Sequence, residues 1–180
     1  MLKEALNYNK NIKYEKEVKK VRAIVENNNK ILLVKHGDLF MLPGGKVEKN
    51  ESNYNAIIRE ISEESGITLN ENIKPFIKII RYDENYLERS TQIYTNRITN
   101  TIYYYAKTNK NINRNNMKLT PSEQKNNYKI NYFSIEEIMK ILKYTKVAEP
   151  KRKIFDEELF VVLNNFEKLK NKNKDDDFER

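Results

Sequence analysis

The sequence predicts an α+β fold, a mixed β-sheet sandwiched between α-helices. Three observations predict it. Apolar runs of strand length are interspersed with amphipathic helical stretches, without regular βαβ alternation. All four glycines fall between Gly37 and Gly66, which marks one short segment as having the most demanding backbone. A chain of 180 residues with 38% hydrophobic and 33% charged content suits one domain with a buried core and a strongly polar surface.

Residues 1–17 are expected as an N-terminal extension, 18–146 as the domain, 147–170 as a helix packed on it, and 171–180 as a charged, disordered tail. Residues 18–25 and 30–36 read as two strands joined by the polar turn Glu26-Asn27-Asn28-Asn29. The second, through Ile31-Leu32-Leu33-Val34, is apolar on both faces and belongs in the middle of the sheet. Residues 39–42 form a short extended piece ending at Pro43-Gly44-Gly45. Residues 52–65 read as a helix capped by Ser52 and stopped by Gly66. Further strands are expected at 75–82, 101–107 and 128–133. Ser134-Ile135-Glu136-Glu137 is a capping box that opens a helix to about Lys143, with Phe133 and Ile138 as its hydrophobic staple. Pro150 precedes a last helix over 152–169, where Ile154, Leu159, Val162 and Phe166 recur at helical spacing.

The formal net charge is +8. The abundance of Asn, Lys, Ile and Tyr looks like compositional drift, so the charge is discounted, although it favours phosphate-bearing partners. The absence of cysteine excludes disulfides, thiolate metal sites and cysteine nucleophiles. Met1-Leu2-Lys3-Glu4-Ala5 leads into polar sequence, and no apolar run approaches the roughly 20 residues that a bilayer demands. A soluble cytoplasmic protein with no membrane partner is expected.

On a helical wheel of about 100° per residue, Tyr54, Ile57, Ile58 and Ile61 gather on one stripe that should meet the sheet. Glu60, Glu63 and Glu64 lie elsewhere, with Ala56 keeping that acidic face open. Like charges one turn apart repel, and two of the three sit at the helix end where the dipole disfavours them. The three could be a solvated helix face. A hard divalent cation such as Mg²⁺ would reverse the repulsion. Arg59 is spaced to pair with Glu51 and clamp the loop to the helix, while Gly44-Gly45 would let backbone approach the carboxylates.

The run Gly45-x5-Glu51-x7-Arg59-Glu60-Ile61-x-Glu63-Glu64-x-Gly66-Ile67 resembles the Nudix box, with every defining position filled. The likeness extends over about residues 18–143. It implies the Nudix fold and hydrolysis of a phosphoanhydride bond in a nucleoside diphosphate-linked small molecule, using Mg²⁺ with Mn²⁺ as a substitute. By the family's pattern Glu60, Glu63 and Glu64 hold metal with the Gly44 carbonyl, whereas Gly45, Glu51, Arg59 and Gly66 support the box. The base for the attacking water comes from the box helix, as Glu60 or Glu63, or from a later loop, where Glu123 is the candidate. Glu123 also reads as a plain turn residue before a strand.

Other assignments stay open at this level. Lys46 could touch a substrate phosphate or be an exposed loop lysine, and His36 reads as a strand-end turn residue. Tyr103 could stack on a base and Arg97 could meet phosphate, although a core tyrosine in a strand is the plainer account. The substrate class spans nucleoside triphosphates and nucleotide sugars such as ADP-ribose. The charge also admits an RNA 5′-end pyrophosphohydrolase. A non-catalytic nucleotide-binding module is the alternative of a different class, and a homodimer is left open.

Overall fold

The computed structural model describes residues 1–69, 72–88, 91–125, 127–144 and 150–178. In chain order the elements are β1 (Leu2–Leu6), β2 (Lys16–Asn27), β3 (Lys30–His36), β4 (Leu39–Met41), α1 (Asn53–Ser65), β5 (Lys74–Glu88) and β6 (Ile93–Lys107). A 3₁₀ turn (Arg114–Asn116), α2 (Pro121–Lys125), β7 (Lys129–Phe133), α3 (Ile135–Tyr144) and α4 (Pro150–Phe178) complete it. Among the described residues the strands form one sheet in the order β1-β5-β6-β2-β3-β4, with β7 also paired to β3. The sheet is mixed, as expected: β1 runs parallel to β5 and β2 parallel to β6, and the other pairs are antiparallel.

Side chains alternate across a strand, so β2 and β3 each feed two cores. Val21, Ala23 and Val25 of β2, with Leu32 and Val34 of β3, meet Ala56, Ile57 and Ile61 of α1 on one face. Ile24, Ile31 and Leu33 face the other way and pack with Ile138 of α3 and Leu159, Val162, Leu163 and Phe166 of α4. Helices therefore cover both faces, and β3 is apolar from Ile31 to Val34 because that run is buried on both sides.

Several expectations need correction. β1 lay within a segment expected to be a mere extension. Four of its five residues are exposed, so it carries no apolar alternation to reveal it. β5 and β6 run well past 75–82 and 101–107, because their outer halves bury polar residues (Asp83, Glu88, Arg97 and Thr99) that pair among themselves. Ala56 lies in the core instead of keeping an acidic face open, and Tyr54 is exposed. Ala56 shares a cluster with Val21 and Ala23, where its small side chain lets α1 sit close to β2. The last helix continues to Phe178 into the segment expected to be disordered, where no glycine or proline interrupts it. The expected boundary at residues 146/147 and the final two residues of the tail lie outside the described residues. No helix among the described residues is long and apolar enough to cross a membrane.

Candidate active site

The segment 43–47 is held against β2 by backbone hydrogen bonds. Ala23 N–H donates to the Pro43 carbonyl, Val21 N–H to Gly45 and Val47 N–H to Lys19, each at 3.0 Å. Lys20 and Lys46 thereby stand opposite each other in an antiparallel bridge. Gly44 has φ of +135°, and a Cβ there would strike the Val21 carbonyl. A Cβ on Gly45 would run into the Glu60 carboxylate, so the glycine pair lets strand backbone and helix acid meet directly.

Beneath this segment, α1 begins where the Asn55 N–H donates to Ser52 Oγ at 3.1 Å and ends at Gly66, whose φ is +67°. The expected clamp is present. Arg59 Nε and Nη2 donate to the two Glu51 oxygens at 2.8 and 2.9 Å, a bidentate pair that ties the loop to the helix. Nη2 also reaches the Lys46 carbonyl at 3.3 Å. The same guanidinium turns Nη1 to Glu60 Oε1 at 2.9 Å and Glu63 Oε2 at 3.2 Å. One nitrogen thus gathers two carboxylates.

Glu64 turns inward. Its Oε2 accepts the Gly44 N–H at 2.7 Å, and the Tyr128 hydroxyl donates to its carbonyl at 3.0 Å. Burial pushes the Glu64 carboxyl up to about 8; Arg22 and the Gly44 N–H oppose this, while Glu60 and Glu123 reinforce it. Burial also raises Glu60, against the pull of Arg59. For both acids burial is thus the leading cause, and it outweighs the nearby guanidinium groups.

Among the described residues no three His, Cys, Asp or Glu side chains stand close enough to make a ready coordination sphere. The donor set nonetheless fits a hard divalent cation: carboxylates on adjacent helix turns, already drawn together around a cationic nitrogen, beside backbone that only glycine permits. The Gly44 contact seen is made by its N–H and not by its carbonyl.

Glu123 lies in α2, a five-residue helix where a loop was expected. Its carboxylate accepts from the Thr120 N–H at 2.6 Å and hydroxyl at 2.8 Å, a local cap, yet it is near enough to raise both Glu64 and Tyr128. Lys46 is exposed beside Gly45, and His36 pairs with Leu39 at the β3–β4 turn.

Arg97 and Tyr103 are not brought to the acids. Both point to the α4 face of β6, where Tyr103 donates to Glu158 Oε1 at 2.5 Å. Arg97 lies over the Tyr86 ring and binds Asp83 at 3.2 Å and Glu88 at 3.5 Å. Neighbouring acids engage the Tyr103 hydroxyl and two Arg97 nitrogens, while Arg97 Nη2 is buried with no hydrogen-bond partner among the described residues. Sequence reasoning overlooked Tyr128, and also Arg22, whose charge draws down the Glu60 and Glu64 carboxyls against their burial. The spacing Lys20-Val21-Arg22-Ala23 was the available signal for Arg22, since it puts two cations on one strand face.

The family model for the NUDIX domain matches residues 16–157. Over 75 residues the chain is 39% identical to an ADP-ribose pyrophosphatase of Methanocaldococcus jannaschii, a match covering 33% of this chain and 44% of that protein. The matched part thus spans less than half of that relative's length. In fold, the chain is similar to a NUDIX hydrolase from Nitrosomonas europaea, at 21% identity over 81% of this chain and 90% of that one, with a TM-score of 0.50.

Proposed function

This chain belongs to the NUDIX domain family, and from that premise we propose that it is a Mg²⁺-dependent hydrolase, with Mn²⁺ as a substitute, that cleaves a phosphoanhydride bond in a nucleoside diphosphate-linked small molecule. The observation that carries the reading is the meeting of Glu60 and Glu63 on one Arg59 nitrogen beneath the Gly44-Gly45 backbone. Glu60, Glu63 and Glu64 would hold the cation, which supplies Lewis-acid polarisation of the phosphates. Arg59 keeps its bidentate grip on Glu51, so the loop stays in register while its Nη1 gives way. The Glu63 side chain is 37% exposed against 14% for Glu60, and this favours Glu63 as the group that takes the proton from attacking water. Glu123 is the second candidate for that proton.

The groove lined by Arg114, Met117, Leu119, Gln124 and Tyr128 borders the C-terminal end of α1, where Lys118 N–H donates to the Glu63 carbonyl at 2.8 Å. Apolar walls beside a guanidinium suit the organic part of such a substrate. The name of the archaeal relative makes ADP-ribose one compound to try first.

The test is product release from a nucleoside triphosphate, ADP-ribose and 5′-triphosphate RNA, each with Mg²⁺. Glu63→Gln and Glu64→Gln are expected to lower kcat by roughly 10²–10⁴ on whichever compound is cleaved, the range for a lost acid–base or charge-stabilising group. Full activity in both variants would overturn the assignment.

A further inference from the structure

A cleft of about 580 Å³ opens between the β2–β3 turn (Asn28, Asn29), Leu69 and the start of the loop after β6 (Lys107 to Lys110). That size suits a small-molecule ligand. Val21 is bonded to Gly45, and Asn27 at the other end of β2 lies about 20 Å away at the usual strand rise, so the cleft is separate from the glycine pair. Asn27 is 7% exposed and shares the face of β2 that carries Val25. Its Nδ2 donates to the Lys110 carbonyl at 3.1 Å, which also accepts the Tyr132 hydroxyl at 3.2 Å. Its Oδ1 is buried and accepts no hydrogen bond among the described residues. A buried acceptor without a donor is costly, and a ligand that brings the donor removes the cost.

The walls favour one chemistry. Asn28, Asn29 and Asn109 bring carboxamides, each pairing a donor with an acceptor as the edge of a nucleobase does. Lys107 adds a cation with no ion pair among the described residues. Glu26, its register partner, is held instead by Lys170 at 2.7 Å and the Tyr105 hydroxyl at 2.8 Å. One loop then joins the cleft to the chemistry. It runs from Thr108 to Asn113, whose N–H donates to the Ser65 carbonyl at 3.0 Å, and on to Lys118, whose N–H donates to the Glu63 carbonyl at 2.8 Å. Between these anchors Arg114 and Met117 line the groove. We propose that the cleft is a second nucleotide site, and that its occupant steadies the loop lining the substrate groove. The base supplies the donor that Asn27 Oδ1 lacks, and the phosphate meets Lys107. The site stands apart from the hydrolase reading above, and only its effect on turnover rests on that reading.

The test has a metal-free arm and a turnover arm. Protein kept in a chelator is followed by ¹⁵N amide NMR while AMP, GMP, adenosine or inorganic phosphate is added; the spectra also report that each variant is folded. At least one nucleotide is expected to move the Leu69, Thr108 and Asn109 amides saturably. Adenosine and phosphate are expected to bind there at least about tenfold more weakly, as is that nucleotide to Lys107→Met, since each loses a charge-assisted or paired contact. The site is overturned by shifts confined to Gly44, Gly45 and Glu63, by no shift with either nucleotide, by phosphate or adenosine binding as tightly as the nucleotide, or by Lys107→Met binding like wild type. With Mg²⁺ and a compound cleaved in the screen above, the nucleotide is expected to lower KM severalfold in wild type and not in Lys107→Met. An equal response in both proteins overturns the link to the groove. A wild type that cleaves no compound, yet shows the shifts at Leu69 and Thr108, overturns the hydrolase reading and upholds the site.

Discussion

A single methyl group at residue 45 would separate the strand from the acids below it. Gly45→Ala would drive a Cβ into the Glu60 carboxylate and leave the hydrogen bond from Val21 to the residue 45 carbonyl unchanged in kind. The expected outcome is a folded protein, by circular dichroism, whose kcat/KM on the best substrate falls about a hundredfold, the effect of displacing a catalytic group by roughly 1 Å. Wild-type turnover in that variant would detach Glu60 from the chemistry. At this scale the acids and their clamp were legible, because residues three and four apart on one helix have fixed relative positions and Glu51 stands just before the helix start: Arg59 does reach Glu63 one turn on, its neighbour Glu60, and Glu51 in the loop. Arg22 was legible only in part: its spacing from Lys20 puts two cations on one strand face. Which strand 43–47 pairs with, and which helix covers that face, no local spacing encodes.

Helix α3 shows what an element owes to its first turn. The Ser134 N–H donates to Glu137 Oε2 at 2.6 Å and the Glu137 N–H donates to Ser134 Oγ at 3.2 Å, so the reciprocal cap expected from four residues of sequence is in place. Ser134→Ala should cost about 1 kcal/mol in urea unfolding, since it leaves an orphan N–H at the helix start. No change in the unfolding midpoint would mean that packing of Ile138 alone holds the helix. Elements with caps, glycine stops or two-sided apolar runs, such as α1, α3 and β3, could be read directly. The outer halves of β5 and β6 could not: alternation of apolar residues is the usual strand signal, and there the inward positions are Arg81, Asp83, Arg97 and Thr99.

For the whole molecule, those inward charges couple stability to pH. Burial pushes the Asp83 carboxyl up, but Arg81 and then Arg97 outweigh it and hold the group below its ordinary value of 3.8. A carboxylate depressed in the fold contributes stability that is present above its unfolded value and is lost as pH falls through the folded one. Glu26 and Glu88 are depressed in the same sense, Glu26 by Lys170 of α4 against its own burial. Urea midpoints should therefore drop steeply below about pH 4, and Asp83→Asn should lose about 3–5 kcal/mol at neutral pH while flattening that acid limb. An unaltered acid limb would place the sensitive group elsewhere.

The parallel pairing at the sheet centre also bears on the order of assembly. Lys16 lies opposite Arg97 and Glu26 opposite Lys107, so β2 has no central partner until the second half of the chain exists. During synthesis the nascent N-terminal half emerges as a hairpin and a capped helix with one bare flank, and the long-range closure comes late. In that interval α1 can already cover the side chains of Val21, Ala23 and Val25, but the backbone edge of that run has no strand to pair with and is the stretch most open to wrong pairing.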